Sequence, residues 1–196
     1  NACGVPDVTV IAKIGFDHMA ILGDTLAKIA AEKAGIIKHG TALVLESQEK
    51  EAMDVLNKAA ERADIKTIKV VNLDEIRILP QKDGKQCFSY AGYDAVTMKM
   101  LGVHQYENAV AAMLAAELFF EKYFAGKKNV PELKALQHAI REGIDRTQWM
   151  GRMELVSNDP FFLMDGAHNS NGVEALKKSL ETMYPDEKFH FIMGVM

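Results

Sequence analysis

The sequence predicts an α/β protein with a parallel sheet, an antiparallel patch and the start of a second, Rossmann-like α/β unit. Apolar, β-branched runs alternate with helical patterns in the first 71 residues, which is typical of strands joined by crossover helices. An Asp-Gly pair at 83–84 lies between two alternating runs and indicates a hairpin. A second succession of strand and helix patterns begins after residue 148. We therefore expect two units, residues 1–148 and 149–196.

The first unit opens with alternating strands and helices. Residues 8–14 are apolar and β-branched and predict a mostly buried strand. Asp24 or Thr25 can cap the helix that follows, and Gly35 can end it. An unbroken apolar stripe at helical spacing predicts a helix over 48–64. The flanking runs at 41–45 and 65–71 predict strands, so the order favours a parallel sheet.

The remaining elements follow from the same patterns. The antiparallel patch comprises three short runs, and a long Ala-rich helix and a shorter helix come next. The shorter helix should fade by Gly143, and residues 145–148 read as a linker. In chain order the predicted elements are strands 76–79, 86–90 and 95–101, helices 107–123 and 130–143, strands 153–156 and 161–164, helix 173–184 and strand 189–193.

Composition restricts the class of protein. The chain has 196 residues, 48% of them hydrophobic and 26% charged, as ordinary globular proteins do. A net charge of −4 gives no reason to expect binding to nucleic acid or an anionic membrane, and no apolar run approaches the roughly 20 residues of a membrane span. Cys3 and Cys87 are too few and too far apart for a disulfide framework or zinc site. We expect a cytoplasmic monomer that binds small molecules.

Both ends of the chain read as internal segments. Asn1 runs almost at once into a strand, and residues 191–196 resemble a buried strand that is entering its turn. We therefore expect a fragment of a longer protein. Processing to a mature form is an alternative for the amino end, but it would not explain the carboxyl end.

Polar residues gather after the apolar run at 161–163. Asp165, His168 and Asn169 follow this strand, and α/β sheets bind ligands at the carboxyl ends of their strands. The amides that open the next helix can face an anion, and Arg152 lies thirteen residues before Asp165. The structural alternative is a loop whose Asp, Asn and Ser cap the helix.

A second candidate group follows the first strand. His18 comes after that strand, and Lys33 falls near the apolar face of the next helix, which would draw it inward. A buried lysine has a lowered pKa and a nucleophilic amine, which can add carbon dioxide to form a carbamate with anionic oxygens. Such oxygens suit magnesium. The alternatives are a lysine favoured by the helix dipole and a structural histidine.

A third candidate group opens the long helix. Gln105 and Asn108 are three residues apart and share a face of its first turn. Their amide side chains offer both a donor and an acceptor, which suits the edge of an adenine base. A polar helix start with ordinary capping residues is the alternative.

Together these motifs resemble the folylpolyglutamate synthase/dihydrofolate synthase family of the Mur ligase superfamily. The resemblance covers nearly the whole chain, and the motifs occur in family order. The matching segments are Gly15-Phe16-Asp17-His18 with Leu22-Gly23, Ala30-Ala31-Glu32-Lys33-Ala34-Gly35-Ile36, Gly102-x-His104-Gln105-x-x-Asn108-Ala109, Gly151-Arg152-x-Glu154, and Asp165-Gly166-Ala167-His168-Asn169.

The resemblance implies an ATP-dependent amide ligase. Such an enzyme activates a carboxylate as an acyl phosphate, and the amino group of L-glutamate attacks it. The acceptor would be dihydropteroate, a reduced folate or both. ATP and Mg²⁺ would be the cofactors, with His18 as a magnesium ligand and Lys33 as the carbamylated lysine. The expected fold is the later part of a Mur-ligase-type ATPase domain followed by the start of the carboxyl-terminal domain.

The resemblance also assigns residues to the nucleotide. It places Asn108 near adenine, Arg152 near phosphate and Asp165 near ribose. His168 resembles the family histidine that joins this site, and Asn169 would support the loop.

Some family features are not in this sequence. The glycine-rich phosphate loop and an acidic magnesium ligand would precede Asn1, and a Lys-Asp pair would follow Met196. Phe16 stands where the family more often has Leu. We therefore expect this chain alone not to catalyse. A cell-wall ligase of the Mur superfamily and a non-catalytic nucleotide-binding module are the alternatives.

Overall fold

A parallel three-stranded sheet forms the first part of the chain. The computed structural model describes residues 4–16 and 23–194. Its sheet has the order β1–β2–β3, with Val8 opposite Ala42 and Leu43 opposite Ile68. The elements are β1 (Val8–Ile11), α1 (Leu26–Ala34), β2 (Ala42–Leu45), α2 (Lys50–Arg62) and β3 (Ile68–Val70). The predicted parallel strand–helix alternation is confirmed, and each strand is shorter than its apolar run.

Helices cover both faces of this sheet. Leu43 and Leu45 of β2 point into a core cluster with α1 and α2, which contribute Ile29 and Leu56. Val44, between the two leucines, belongs to a separate cluster on the opposite face. Successive strand side chains point to opposite faces, so a strand that is buried on both sides needs a continuous apolar run. The run at 42–45 meets that requirement.

The antiparallel patch forms a second sheet of β4 (Arg77–Lys82), β5 (Lys85–Tyr90) and β6 (Tyr93–Met98). Asp83 and Gly84, at the turn, have φ values of 53° and 73°. Two consecutive positive φ angles are characteristic of a type I′ turn, whose twist matches that of a hairpin. The hairpin predicted from the Asp-Gly pair is therefore confirmed.

Two helices follow the patch, α3 (Gln105–Phe124) and α4 (Leu133–Arg146). The prediction that the second helix fades by Gly143 is wrong by one turn. Asp145 lies inside α4, where it accepts hydrogen bonds from Lys85 Nζ at 2.7 Å and from Thr97 Oγ1 at 2.6 Å. These contacts with the patch hold the last turn in place, so residues 145 and 146 are helix rather than linker.

The last part of the chain is a hairpin followed by a helix. It comprises β7 (Glu154–Asn158), β8 (Phe161–Met164) and α5 (Ser170–Met183). The predicted strand at 189–193 is wrong, because these residues carry no strand in the part of the chain that the structure describes. Phe191 is 65% exposed and Ile192 is 94% exposed, and the β7–β8 pair is a two-stranded sheet. An apolar run pairs as a strand only where another strand edge lies beside it.

The domain boundary near residue 148 remains a prediction.

The helices of residues 4–16 and 23–194 all fall short of the length and apolar character that a membrane crossing requires.

Candidate functional site

A cavity of about 250 Å³ lies where the beginning of α3 meets the hairpin and α5. Residues from two of the widely separated polar motifs line it together with Arg152. The lining residues are His104, Gln105, Asn108, Arg152, Asp165, Ala167, Gly172, Ala175 and Leu176. Amide, imidazole, guanidinium and carboxylate groups therefore meet around one space, beside apolar side chains of α5.

The loop before α3 is held by a buried glutamine that the sequence analysis did not single out. Gln86, which is 1% exposed, donates through Nε2 to Met100 O at 2.8 Å and to Gly102 O at 3.1 Å. Gly102 has a φ of +112°, which side chains other than glycine rarely adopt. A Cβ at this position would lie 2.8 Å from His104 Cε1. The glycine therefore allows the histidine ring to fold back against the loop.

The polar side chains at the beginning of α3 form a hydrogen-bonded row. Asn108 Nδ2 donates to Gln105 Oε1 at 3.0 Å, and Gln105 Nε2 lies 3.0 Å from His104 Nε2. Gln105 is 6% exposed, whereas Asn108 is exposed. The structure thus brings the two amides together on one helical turn, as their spacing predicted.

His104 is the most unusual polar group in the cavity. Its Nδ1 atom is buried and has no hydrogen-bond partner among the described residues. Burial lowers the pKa of the imidazole below its usual range; the Asp165 carboxylate opposes this shift and the Arg152 guanidinium reinforces it. The sequence analysis quoted His104 as part of a motif but gave it no role.

Asp165 has a structural role within its loop. Its Oδ2 accepts from Met153 N and its Oδ1 from Ala167 N, both at 2.8 Å. Gly166 N also donates to Gly151 O at 2.7 Å. These bonds join the loop after β8 to the loop before β7. They hold the half-buried carboxylate at the cavity, where each oxygen still has a lone pair to accept a ligand donor.

Arg152 belongs to the loop before β7. Its side chain is exposed and lines the cavity. A Cβ at Gly166 would lie 3.8 Å from Arg152 Nη1 and 3.2 Å from Gly151 O, so the glycine permits the close approach of the two loops. The guanidinium is therefore available to an anion in the cavity.

Asn169 caps α5, as the structural alternative for this motif predicted. Asn169 is the N-cap of α5, and its Oδ1 accepts from Gly172 N at 2.8 Å. His168 is exposed, its Nδ1 lies 2.9 Å from Gly166 O, and it is absent from the cavity lining. The structure therefore places His168 next to the cavity rather than in its wall.

Two of the predicted residues lie elsewhere. His18 falls outside the described residues. Lys33 lies in the last turn of α1 and is exposed, so the expectation that the apolar face draws it inward is wrong. The buried stripe of this helix consists of Ile29, Ala30 and Ala34. Burying an ammonium group beside that stripe would cost hydration free energy, whereas the last turn favours an exposed cation.

A buried serine joins α5 to the first part of the chain, and the sequence analysis missed it. Ser179 is fully buried; its Oγ accepts from Val103 N at 3.0 Å and donates to Ala175 O at 2.7 Å. Nearby, Asn171 Nδ2 donates to Phe16 O at 3.2 Å. A polar residue between Leu176 and Leu180 was the available signal. These two bonds hold α5, which forms part of the cavity wall, against the first part of the chain.

A second cavity, of about 320 Å³, lies between the antiparallel patch and α4. Three of its charged lining groups make structural contacts. Lys85 pairs with Asp145, and Arg141 Nη1 donates to Asp94 O at 2.5 Å. Residues singled out in the sequence line the smaller cavity instead, so the smaller cavity is the candidate site.

The fold and the site together define a class of protein. The chain is an α/β protein with a helix-flanked parallel sheet, an antiparallel patch and a following α/β segment, and a polar cavity lies where these parts meet. A sequence model described as the Mur ligase middle domain matches residues 2–116, more than half of the chain. The chain belongs to the Mur ligase family.

Particular relatives place the chain more narrowly. It is 33% identical over 200 residues to a dihydrofolate synthase/folylpolyglutamate synthase of Bacillus subtilis, covering 97% of this chain and 44% of that protein. It is 35% identical over 190 residues to a folylpolyglutamate synthase of Arabidopsis thaliana, covering 91% and 30%. The resemblance inferred from the motifs is confirmed.

A solved structure supports the same grouping. The structure of Mycobacterium tuberculosis folylpolyglutamate synthase complexed with ADP superposes with a TM-score of 0.73 at 30% identity. The match covers 90% of this chain and 39% of that one. The chain thus spans less than half the length of each of these three proteins.

Proposed function

We propose that this protein is an ATP-dependent ligase that adds L-glutamate to dihydropteroate, to a reduced folate with its glutamate tail, or to both. The convergence of Asn108, Arg152 and Asp165 on one cavity carries the proposal. The names of the relatives, which include both folylpolyglutamate synthases and a dihydrofolate synthase/folylpolyglutamate synthase, support this reaction. The related structure with ADP supports a nucleotide as the ligand of the cavity.

The three side chains suit three parts of a nucleotide. Arg152 presents a planar, forked set of donors that matches phosphate oxygens. Asn108 presents an amide to the edge of a base. Asp165 presents carboxylate oxygens that can accept from ribose hydroxyls. The proposal assigns these residues to phosphate, base and ribose in that order.

The reaction would proceed in two steps. An oxygen of the acceptor carboxylate attacks the γ-phosphorus of ATP, and ADP leaves with the electrons of the broken P–O bond. The amino nitrogen of L-glutamate then attacks the acyl carbon of the acyl phosphate, inorganic phosphate leaves, and the nitrogen loses a proton. Carboxylate and ATP are both anionic, so they repel each other. Arg152 would offset part of that repulsion and stabilise the developing charge.

The position of the cavity would allow water to be excluded from the reaction. Its walls come from the beginning of α3 on one side and from the hairpin loops and α5 on the other. A movement of one side against the other would close the cavity over the ligand. Closure would exclude the water that otherwise hydrolyses an acyl phosphate.

Magnesium stays a prediction of the sequence. No group of three or more His, Cys, Asp or Glu side chains suited to a metal occurs in residues 4–16 and 23–194, and Lys33 is exposed there. An ammonium group is not a metal ligand, so Lys33 would serve only as its carbamate. Magnesium usually takes one or two protein ligands and completes its shell with phosphates and water, and no step above depends on the ion. The cytoplasmic location and the monomeric state also stay predictions.

The decisive assay is phosphate release by the full natural polypeptide with ATP, Mg²⁺ and L-glutamate. Dihydropteroate, tetrahydrofolate and a UDP-muramyl acceptor are supplied in parallel reactions. We expect release that depends on one or both pterin compounds. Release with only the muramyl acceptor would assign the protein to cell-wall synthesis. Binding of ATP without release for any acceptor would identify a non-catalytic nucleotide-binding module.

A pair of variants tests the assignment of Arg152. Arg152→Gln should weaken ADP binding by at least roughly tenfold, because it removes a charged, forked donor from the cavity. Arg146→Gln is the matched control. Arg146 is an exposed arginine of α4 that pairs with Glu142 and does not line the cavity. An equal effect of the two variants would contradict the assignment.

A further inference from the structure

Side chains continue the pairing of β1 with β2 beyond the ends of both strands. Glu46 N donates to Ile11 O at 3.0 Å, as the backbone of a parallel ladder does. Two residues after Ile11, Lys13 N donates to Glu46 Oε2 at 2.6 Å. A backbone carbonyl would take this place in a regular parallel ladder. The carboxylate of Glu46, which is 3% exposed, therefore extends the pairing by one bond.

Gln48 holds the next part of the same segment at two points. Its Oε1 accepts from Ile14 N at 2.8 Å, and its Nε2 donates to Ala12 O at 3.0 Å. A side-chain amide suits this position because it offers an acceptor and a donor at one end. A carboxylate would keep only the first bond, and an apolar side chain would keep neither. Residues 12–16, the post-β1 loop, are thus fixed where they leave the sheet.

The far end of the post-β1 loop is the place where α5 docks. Asn171 Nδ2 donates to Phe16 O at 3.2 Å. A Cβ at Gly15 would overlap Asn171 Nδ2, so the glycine permits this close approach. Asn171 belongs to the first turn of α5, and its neighbour Gly172 lines the cavity. The position of the post-β1 loop therefore affects the position of that wall.

The tripeptide 46–48 also reaches the other wall of the cavity. Ser47, between Glu46 and Gln48, donates from its backbone N to Glu107 Oε1 at 2.8 Å. Glu107 lies in the first turn of α3, and the beginning of α3 forms that wall. The tripeptide thus binds α3 through Ser47 and the post-β1 loop through the two flanking side chains. It connects the two walls, although none of its three residues lines the cavity.

We propose that Gln48 is a positioning residue of the ligase: its amide fixes the post-β1 loop where Asn171 docks, and thereby aligns the two walls of the nucleotide cavity. The inference rests on the proposed function, since it takes the cavity to bind a nucleotide. A ligand that touches both walls binds only while α5 is docked. Without the two bonds of Gln48 the loop samples more positions, so the docked form that can bind becomes a smaller fraction of the molecules. Gln48 thus acts on affinity without contacting the ligand.

The test is a double-mutant cycle on ADP binding with the full natural polypeptide. Gln48→Met removes both hydrogen bonds and keeps a long side chain, and we expect it to weaken ADP binding by roughly fivefold or more. Asn171→Ala should weaken it by roughly threefold. Because both changes act on the same docking contact, the double variant should bind within about twofold of Gln48→Met alone. The matched control is Gln81→Met, at an exposed glutamine of β4 that does not line the cavity, and it should leave the affinity unchanged.

The possible results separate the two proposals. Equal affinities of Gln48→Met and Gln81→Met, or losses that multiply in the double variant, would overturn the positioning role and leave the nucleotide site intact. Failure of the unmodified protein to bind ADP would overturn the proposed function and this inference with it. Hydrogen exchange needs no variant, so it also covers the case in which Gln48→Met does not fold. Saturating ADP should slow the exchange of the Ile14 amide by roughly tenfold or more, and an unchanged rate would overturn the inference.

Discussion

Removing the hydroxyl of Ser179 should loosen the wall of the cavity. Ser179 Oγ accepts from Val103 N at 3.0 Å and donates to Ala175 O at 2.7 Å in its own helix. Ser179→Ala leaves the Val103 N–H without this acceptor, which costs about 1–3 kcal/mol. Alanine is a better helix former than serine by about 0.5 kcal/mol. The free energy of unfolding should therefore fall by about 0.5–2.5 kcal/mol.

Thr182→Ala is the matched control. Thr182 Oγ1 donates to Lys178 O at 2.7 Å, four residues back in α5, and the side chain is exposed. This substitution removes the same kind of intrahelical bond but no bond to another element. It should leave stability within about 0.5 kcal/mol of the unmodified chain. Urea unfolding gives the two free energies, and hydrogen exchange at Val103 reports the bond directly. Equal stabilities of Ser179→Ala and Thr182→Ala, with unchanged protection of Val103, would refute the reasoning.

Three further substitutions test other parts of the structure. In thermal unfolding, Gly102→Ala should lower the melting temperature more than Gly92→Ala. Both glycines have a positive φ, but only a Cβ at Gly102 would meet the His104 ring, at 2.8 Å. Equal decreases in melting temperature would contradict this reasoning. Burial raises the pKa of Glu46, so the folded chain keeps the carboxyl proton to higher pH than the unfolded chain does. The contribution of Glu46 to the free energy of unfolding therefore declines as pH rises from the unfolded-state pKa to the folded-state pKa. In Glu46→Gln, the free energy of unfolding from pH 4.5 upward should therefore fall less steeply, and an unchanged slope would reject the assignment. Asp165→Asn should cost about 1–3 kcal/mol in urea unfolding, because an amide can accept only one of the two backbone N–H groups that the carboxylate accepts; no loss would argue against that pair of bonds.

The secondary structure was predictable where a local pattern coincided with its packing. The Asp83-Gly84 pair has the backbone freedom that a two-residue hairpin needs, and the structure has that hairpin. The stripe of Ala52, Leu56 and Ala60 is buried in α2 as its spacing indicated. The secondary-structure predictions were wrong where contacts with another element decide whether a helix or strand forms. The apolar run at 189–193 lacks a neighbouring strand edge, and Asp145 extends α4 because Lys85 and Thr97 bind it.

The candidate site was predictable in its members but not in its connections. Asn108, Arg152 and Asp165 were singled out from motifs, and the structure places all three around one cavity. Their roles in binding stay predictions. No pattern in the sequence could assign Gln86 to two backbone carbonyls, or Ser179 to the Val103 amide 76 positions away. Such bonds depend on tertiary contacts between elements that the sequence does not place relative to one another.

The position of Ser179 connects the stability of the fold to binding at the cavity. Val103 immediately precedes His104, and Leu176 of α5 lines the same cavity, so the Val103–Ser179 bond joins its two sides. A ligand that contacts both sides binds only while they are docked, and it therefore stabilises the docked form. By the same linkage, a substitution that favours the undocked form reduces the apparent affinity by the fraction of molecules that it undocks. Ser179→Ala should then weaken ADP binding without removing any group that faces the nucleotide, whereas Thr182→Ala should not.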